Sequence, residues 1–340
     1  MSSPRSKVLI VGLGGVGVLA AYALEYNKKA QVTALIRSDY DRVIEKGYEI
    51  NSVDYGHIEG FRPTHVVKTI EDAKKYGDFD FILVTTKNIP DIHVVEDAFA
   101  DAVSDKTTIV LLQNGFGIEK ATFERFPGHI VLSGVSMISS ANFHGVVEHV
   151  GTDSLGIGYF DNGVSSKEEQ LAKTKQFIEL YENDKIDCHI DEDVKFSRWR
   201  KLVYNASFNT IGALVDLDVG RIQEAGGTDT LIKPTMREIF RVAASDGVTL
   251  DESLMDTMIH SDDGNWYAPS MLVDVRKGNQ IELEIILGNV LEVAKQNNVE
   301  VPILSVLYNL LHLVQFRLKE KNGLINLPEE RPLKKQKTLD

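Results

Sequence analysis

The chain has 340 residues, long enough for two domains with substantial cores, and its 43% hydrophobic and 26% charged content is that of a soluble globular protein. A formal net charge of −13, from 37 basic against 50 acidic residues, argues against nucleic acid or an anionic membrane surface as the main partner. One cysteine, Cys188, excludes an internal disulfide and a cysteine-rich metal site and fits a reducing compartment.

The first predicted strand, Val8-Leu9-Ile10-Val11, begins almost at the start of the sequence, and no targeting segment is expected ahead of it. No apolar run approaches the ~20 residues a bilayer span requires, so no membrane is expected and the cytoplasm is the expected location. The strand breaks into Gly12-Leu13-Gly14-Gly15-Val16-Gly17, and Val18–Leu24 opens a helix. Strand, glycine turn and helix in that order make GxGxxG a dinucleotide-binding fingerprint. Gly12 permits the tight turn, Gly14 lets the backbone approach a pyrophosphate, and Gly17 lets helix and strand pack closely. The helix N-terminus offers free N–H groups to the phosphates.

Gln31–Ile36 reads as the second strand, with Arg37-Ser38 after it. NAD-specific folds place an acid about twenty residues beyond the glycines to bind the ribose 2′-hydroxyl. Here that position holds Arg37, whose guanidinium clamps a 2′-phosphate instead, and the predicted cofactor is NADPH/NADP+. Asp39 stands against this reading, since its carboxylate could reach a ribose.

Further strands are predicted at Phe79–Thr85, ending in Thr86-Lys87, at Thr108–Leu112, ending in Gln113-Asn114-Gly115, and at Ile130–Ser136. Arg37, Lys87 and Asn114 therefore lie at strand carboxyl ends, where open α/β sheets bind ligands. Val146–Val150 and Ser154–Gly158 read as a hairpin that closes the sheet with antiparallel strands, Lys167–Tyr181 as a helix, and Lys185–Ile190 as a last short strand. His144 and His149 have no metal-ligand partners at useful spacing, and no metal site is expected.

Beyond Asp193 the pattern turns helical up to about Lys321. The expected architecture is an α/β, Rossmann-type NADPH-binding domain over residues 1–193 and an all-helical substrate domain over 194–325. Residues 326–340 form a tail expected to be disordered. Its Lys334-Lys335-Gln336-Lys337 reads as solvated charge rather than a nuclear signal.

Lys201, Asn205 and Asn209 recur at four-residue spacing and stack on one helical face, among the apolar residues Leu202, Val203, Ala206 and Ile211. Burying such a set costs stability unless something polar lies opposite, which an active-site cleft would supply; a solvent-facing polar stripe is the alternative. Ser270 suits a helix N-cap as well as a substrate ligand. Glu282 and Glu284 suit the acidic start of a helix.

Taken in order, GLGGVG, Thr86-Lys87, Leu112-Gln113-Asn114-Gly115, the Lys201/Asn205/Asn209 ladder and Ser270-Met271 with Asp274 and Glu282 resemble the ketopantoate reductase family (2-dehydropantoate 2-reductases). The resemblance runs over roughly residues 7–318. It implies Lys201 as proton donor to a ketone oxygen, with Glu282 near the reaction centre and the cofactor's ribose. It implies Asn205, Asn209 and Ser270 at the substrate's carboxylate and hydroxyl end, Asn114 on nicotinamide ribose and substrate, and Arg37 with Lys87 on the 2′-phosphate. A small-molecule 2-oxo acid is the implied partner, and a homodimer is left open. Family members often carry another substrate-contacting asparagine near Val219, and I-D-x-I-N-G where this chain has Leu283-Glu284-Ile285-Ile286-Leu287-Gly288. These departures bear on the substrate. The leading expectation is NADPH-dependent reduction of ketopantoate to pantoate, for pantothenate and coenzyme A synthesis. The alternatives are reduction of another branched or aromatic 2-oxo acid, as a D-2-hydroxy-acid dehydrogenase, and an NADPH-binding module without catalysis.

Overall fold

The computed structural model describes residues 5–331, so the Lys334–Lys337 cluster and most of the predicted tail lie outside the described residues. The chain divides into two units, one ending at Trp199 and the other beginning at Arg200.

In the first unit the elements run β1 (Ser6–Val11), α1 (Gly15–Tyr26), β2 (Ala30–Leu35), α2 (Tyr40–Lys46), β3 (Tyr48–Ser52), β4 (Gly56–Phe61) and β5 (His65–Val67). They continue with α3 (Ile70–Lys74), β6 (Phe81–Val84), β7 (Thr108–Leu111), α4 (Glu119–Arg125), β8 (Val131–Ser136), β9 (Ser139–Phe143) and β10 (Val146–Gly151). β11 (Ser154–Phe160), α5 (Lys167–Tyr181) and β12 (Asp187–Ile190) complete it. Eight strands form one sheet in the order β12-β11-β8-β7-β6-β1-β2-β5, parallel throughout except where β11 meets β8. β6 and β7 are buried along their whole length, which is why β6, and β7 after its buried Thr108, read as apolar runs rather than alternating ones. This is the Rossmann-like arrangement, and its topological switch lies at β1, flanked by β2 and β6.

A second sheet, β4-β3-β10-β9, has no counterpart in the expectation. The predicted pairing of Val146–Val150 with Ser154–Gly158 does not form. β10 instead pairs antiparallel with β9 and parallel with β3, while β11 joins β8 in the large sheet. The reason is local. Between β10 and β11 the chain changes sheet at Asp153, whose N–H donates to the Asp54 carboxylate at 2.9 Å. The Asp153 carboxylate accepts from Tyr181 Oη (2.8 Å) and Ser136 Oγ (3.2 Å), and burial holds its carboxyl above the ordinary range. These bonds pin the crossover and leave no room for a hairpin. α1 contacts strands of both sheets, so it is apolar on nearly every side.

The second unit is helical among its described residues. α6 (Val194–Tyr204) enters it and runs through a π-helical turn, Asn205–Asn209, into α7 (Thr210–Val215). α8 (Val219–Glu224), α9 (Lys233–Ser245), α10 (Ser253–Ile259) and α11 (Ser270–Lys277) follow, then α12 (Asn289–Gln296) and α13 (Pro302–Lys321). α7 packs on α11 and α13, and α9 packs on α12 and α13. Two more π turns, Thr228–Ile232 and Glu284–Gly288, lead into α9 and α12.

Candidate functional site

Parallel register decides where the first unit's predicted site residues emerge. Leu35 pairs with Val11, Val11 with Val84, and Val84 with Leu111, so four strands end side by side, each about 4.8 Å from the next. Arg37, the glycine turn, Lys87 and Asn114 therefore leave one sheet edge in that order. Arg37 and Lys87 are exposed on either side of the turn, and Asn114 is half-buried.

The glycine turn is built as its sequence demands. Gly12 has φ +97°, and a Cβ there would lie 2.6 Å from Thr86 Cγ2 and 2.8 Å from Thr86 N. A Cβ on Gly17 would lie 2.1 Å from the Gly12 carbonyl oxygen, so α1 approaches β1 closer than any side chain allows. Gly17→Ala is accordingly expected to abolish dinucleotide binding and to lower Tm by several degrees, since overpacking of this kind costs about 1–3 kcal/mol. A variant that kept wild-type Tm and binding in a thermal-shift titration would contradict the packing described. Gly14, by contrast, is open: nothing lies within 4 Å of its Cβ direction. It caps α1 without a side-chain hydrogen bond, and the first turn carries no acid. The leading N–H groups of that helix have no intrahelical acceptor and a positive dipole end behind them, a fit for phosphate.

Asn142, on β9, carries no mark in the sequence. Its side-chain amide donates to the Leu13 carbonyl at 3.0 Å and to the Asp39 carboxylate at 2.9 Å. It braces the glycine turn and occupies the acid that stood against a 2′-phosphate. No periodicity reveals such a residue, because it acts from the second sheet.

In the second unit Asn205 and Asn209 begin and end the π turn, at 7% and 4% exposure. The expected uninterrupted α-helical face is thus replaced by a wider turn. The hydroxyls that follow make it workable: Ser207 Oγ donates to the Val203 carbonyl, and Thr210 Oγ1 to the Ala206 carbonyl at 2.7 Å. Asn209 Nδ2 donates to Asn205 Oδ1 at 3.3 Å and to Ser270 Oγ at 3.1 Å, which brings three predicted residues into one cluster. Asn209 Oδ1 is buried with no hydrogen-bond partner. Ser270 is the first residue of α11 rather than its cap, which is Pro269. Lys201 lies one turn earlier on α6.

Glu282 is 5% exposed and directly precedes the helical segment containing the Glu284–Gly288 π turn, which packs on the Asn205–Asn209 turn. Gln315 on α13 grips the preceding residue through both backbone groups, accepting from Ile281 N–H at 2.9 Å and donating to its carbonyl at 3.1 Å. That clamp, also missed in the sequence, fixes where Glu282 leaves the chain. Glu284 does something else, accepting from Tyr308 Oη at 2.9 Å. Val219 opens α8, is 1% exposed, and donates its N–H to the Tyr267 carbonyl. Tyr204 donates to Asp262, and burial raises its phenol further above the ordinary range.

Two family profiles match the chain, Ketopantoate reductase PanE/ApbA over residues 8–162 and Ketopantoate reductase PanE/ApbA C terminal over residues 193–315. The chain belongs to the ketopantoate reductase family. Members of that family are nicotinamide-dinucleotide-dependent oxidoreductases acting on CH–OH groups. The uncharacterized protein YDL144C of Saccharomyces cerevisiae is 40% identical, with 96% of this chain and 98% of that protein aligned. The 2-dehydropantoate 2-reductase of a Nostoc species is 26% identical, over 92% and 96%. Among solved structures, the 2-dehydropantoate 2-reductase of Methylococcus capsulatus matches with TM-score 0.76 at 30% identity, covering 92% of this chain and 97% of that one. A D-mandelate dehydrogenase with NADH and anilino(oxo)acetate shares the fold, with TM-score 0.80 at 19% identity over 92% and 99%.

Among the described residues, no group of three His, Cys, Asp or Glu side chains is arranged to hold a metal ion. No described helix is long and apolar enough to cross a membrane.

Proposed function

We propose that this ketopantoate reductase family member is an NADPH-dependent reductase that converts ketopantoate to pantoate. One observation carries the substrate choice: Asn209 Oδ1 is a buried acceptor without a donor, beside Asn205 and Ser270. Ketopantoate bears a hydroxyl that can donate to such an oxygen, whereas simple branched 2-oxo acids do not. The open glycine turn, the uncapped start of α1 and exposed Arg37 fit a 2′-phosphorylated dinucleotide, with Lys87 as a second cation and Asn114 at the ribose of the nicotinamide end.

When bound, the dinucleotide supplies the hydride that reduces the carbonyl carbon. The chain's own residues do the rest. The Lys201 ammonium stabilises negative charge developing on the ketone oxygen and delivers the proton that completes the alcohol. Glu282, buried beside the helical segment that packs on the Asn205–Asn209 turn, is the acid placed to hold a ribose hydroxyl. Asn205, Asn209 and Ser270 fix the carboxylate and hydroxyl end, so the carbonyl is presented in one orientation.

Asn209→Leu is then expected to lower kcat/KM for ketopantoate about 100-fold while changing that for 2-oxoisovalerate only a few-fold, because a site built to bond a hydroxyl discriminates through that bond. Equal losses on both substrates would remove Asn209 from substrate selection. The in vivo role is tested by expressing the protein in a bacterial strain unable to reduce ketopantoate. Growth without added pantothenate is expected, and failure to grow despite soluble expression would reject the assignment.

A second reading, reduction of another branched or aromatic 2-oxo acid, is favoured by one feature. Val219, where relatives often carry an asparagine, is apolar and buried at the start of α8. Turnover of ketopantoate beside 2-oxo acids that lack its hydroxyl separates the two. As to assembly, a ketopantoate reductase of Staphylococcus aureus is described as dimeric, and a homodimer is the assembly proposed for this chain.

A further inference from the structure

Arg198 lies on α6, 4% exposed, in the first unit. Its guanidinium donates through Nε to Ser133 Oγ (2.9 Å), through Nη1 to the Gln113 (3.1 Å) and Gly115 (2.8 Å) carbonyls, and through Nη2 to the Leu111 carbonyl (3.4 Å). One face of it lies over the Phe160 ring, 5.2 Å from the centroid. None of these acceptors is a carboxylate. Burial lowers its pKa to about 10, opposed by the charges of Glu119 and Asp191, so it remains a cation at neutral pH.

A buried cation bonded to neutral carbonyls is an expensive way to fill space, and an aliphatic side chain would pack there at less electrostatic cost. What the guanidinium adds is geometry. Its planar fork reaches the end of β7 and the turn beyond it at once, which a lysine ammonium cannot reproduce. The two carbonyls held by Nη1 belong to the residues on either side of Asn114. Both neighbours are buried, Gly115 has φ +99°, and Asn114 between them is half-buried. The same turn is tied towards the glycine loop, since Gln113 Nε2 donates to the Thr86 carbonyl at 2.7 Å and Thr86 packs on Gly12.

We propose that Arg198 is a positioning residue that pincers the peptide groups flanking Asn114 and so presets Asn114 for the nicotinamide end of the cofactor. The inference rests on the NADPH reading above. It predicts an effect confined to one half of the dinucleotide, because Arg37 and the glycine turn serve the other half.

The test compares binding of NADPH with binding of 2′,5′-ADP, which lacks the nicotinamide half, in wild type, Arg198→Met, Arg198→Lys and Asn114→Ala. The expected result is NADPH binding weakened about tenfold in Arg198→Met, the scale of a lost buried hydrogen-bond set, with 2′,5′-ADP within about twofold of wild type. Arg198→Lys should recover part of the NADPH affinity, and carries the test alone if the methionine variant does not fold. Arg198→Met combined with Asn114→Ala should lose little more than either change alone, since both act through one side chain. Proportional loss of both ligands, wild-type NADPH binding in the lysine variant, or additive losses in the double variant would overturn the assignment. Absence of NADPH binding by the wild-type protein would instead reject the cofactor reading. Absence of 2-oxo acid turnover leaves the binding comparison intact.

Discussion

Replacing Lys201 by alanine is expected to lower kcat about 10²–10⁴-fold, the span usual for a lost general acid, with NADPH affinity within about twofold of wild type. The separation follows from chain position. Lys201 belongs to the helical unit, whereas the glycine turn, Arg37 and Lys87 belong to the sheet unit. Removing the ammonium deletes both the proton and the charge that opposes the forming alkoxide, so the loss falls on turnover. Lys201→Arg should not rescue fully, because a guanidinium holds its proton too tightly to give it up near neutrality. Stopped-flow measurement of NADPH oxidation beside a fluorescence titration reads both quantities. Near-normal turnover in the alanine variant would remove Lys201 from the proton-donor role.

The second large effect is on cofactor choice. Arg37→Asp is expected to weaken NADPH roughly 100-fold, from loss of a charge-assisted contact worth about 1.5–3 kcal/mol together with repulsion of the phosphate by the new carboxylate. NADH affinity should hold or rise, since an acid at this strand end can bond a ribose 2′-hydroxyl. The structure sharpens this expectation. Asp39, the nearby natural acid, is engaged by the Asn142 side chain at 2.9 Å, so the aspartate placed at position 37 is the one offered to the ribose. An unchanged NADPH-to-NADH ratio would mean that another group reads the phosphate.

The glycine turn and the parallel strand ends are legible because each is a local pattern with a physical cause, whereas the polar ladder is legible only in part, since Asn205 and Asn209 meet across a π turn rather than on an α-helical face. Only glycine takes the φ of +97° at Gly12 without strain, and buried parallel strands are largely apolar. The boundaries of α5 were legible for the same reason: Ser166 caps it, with its side chain accepting from Glu169 N–H. What escaped depends on distant partners. β10 ends in a glycine, as a strand entering a hairpin turn would, but its partner choice is set by buried Asp153 at the crossover, bonded to Asp54 and Tyr181 from elsewhere in the chain. The π turn at Asn205–Asn209 has no sequence period of its own. Ser207 and Thr210, which satisfy the disturbed carbonyls, look like ordinary helical residues until the turn is seen. Asn142, Gln315 and Arg198 likewise bond backbone carbonyls or N–H groups of turns and loops far away in the chain, where spacing along the sequence carries no signal.

The most direct test of the central claim is NADPH oxidation by the purified protein with ketopantoate, 2-oxoisovalerate and benzoylformate side by side. The geometry around Asn209 predicts the highest kcat/KM for ketopantoate. Preference for 2-oxoisovalerate or benzoylformate would contradict the substrate assignment and make the protein a reductase of other branched or aromatic 2-oxo acids on the same scaffold. Tight NADPH binding without turnover of any of the three would contradict the reductase reading itself.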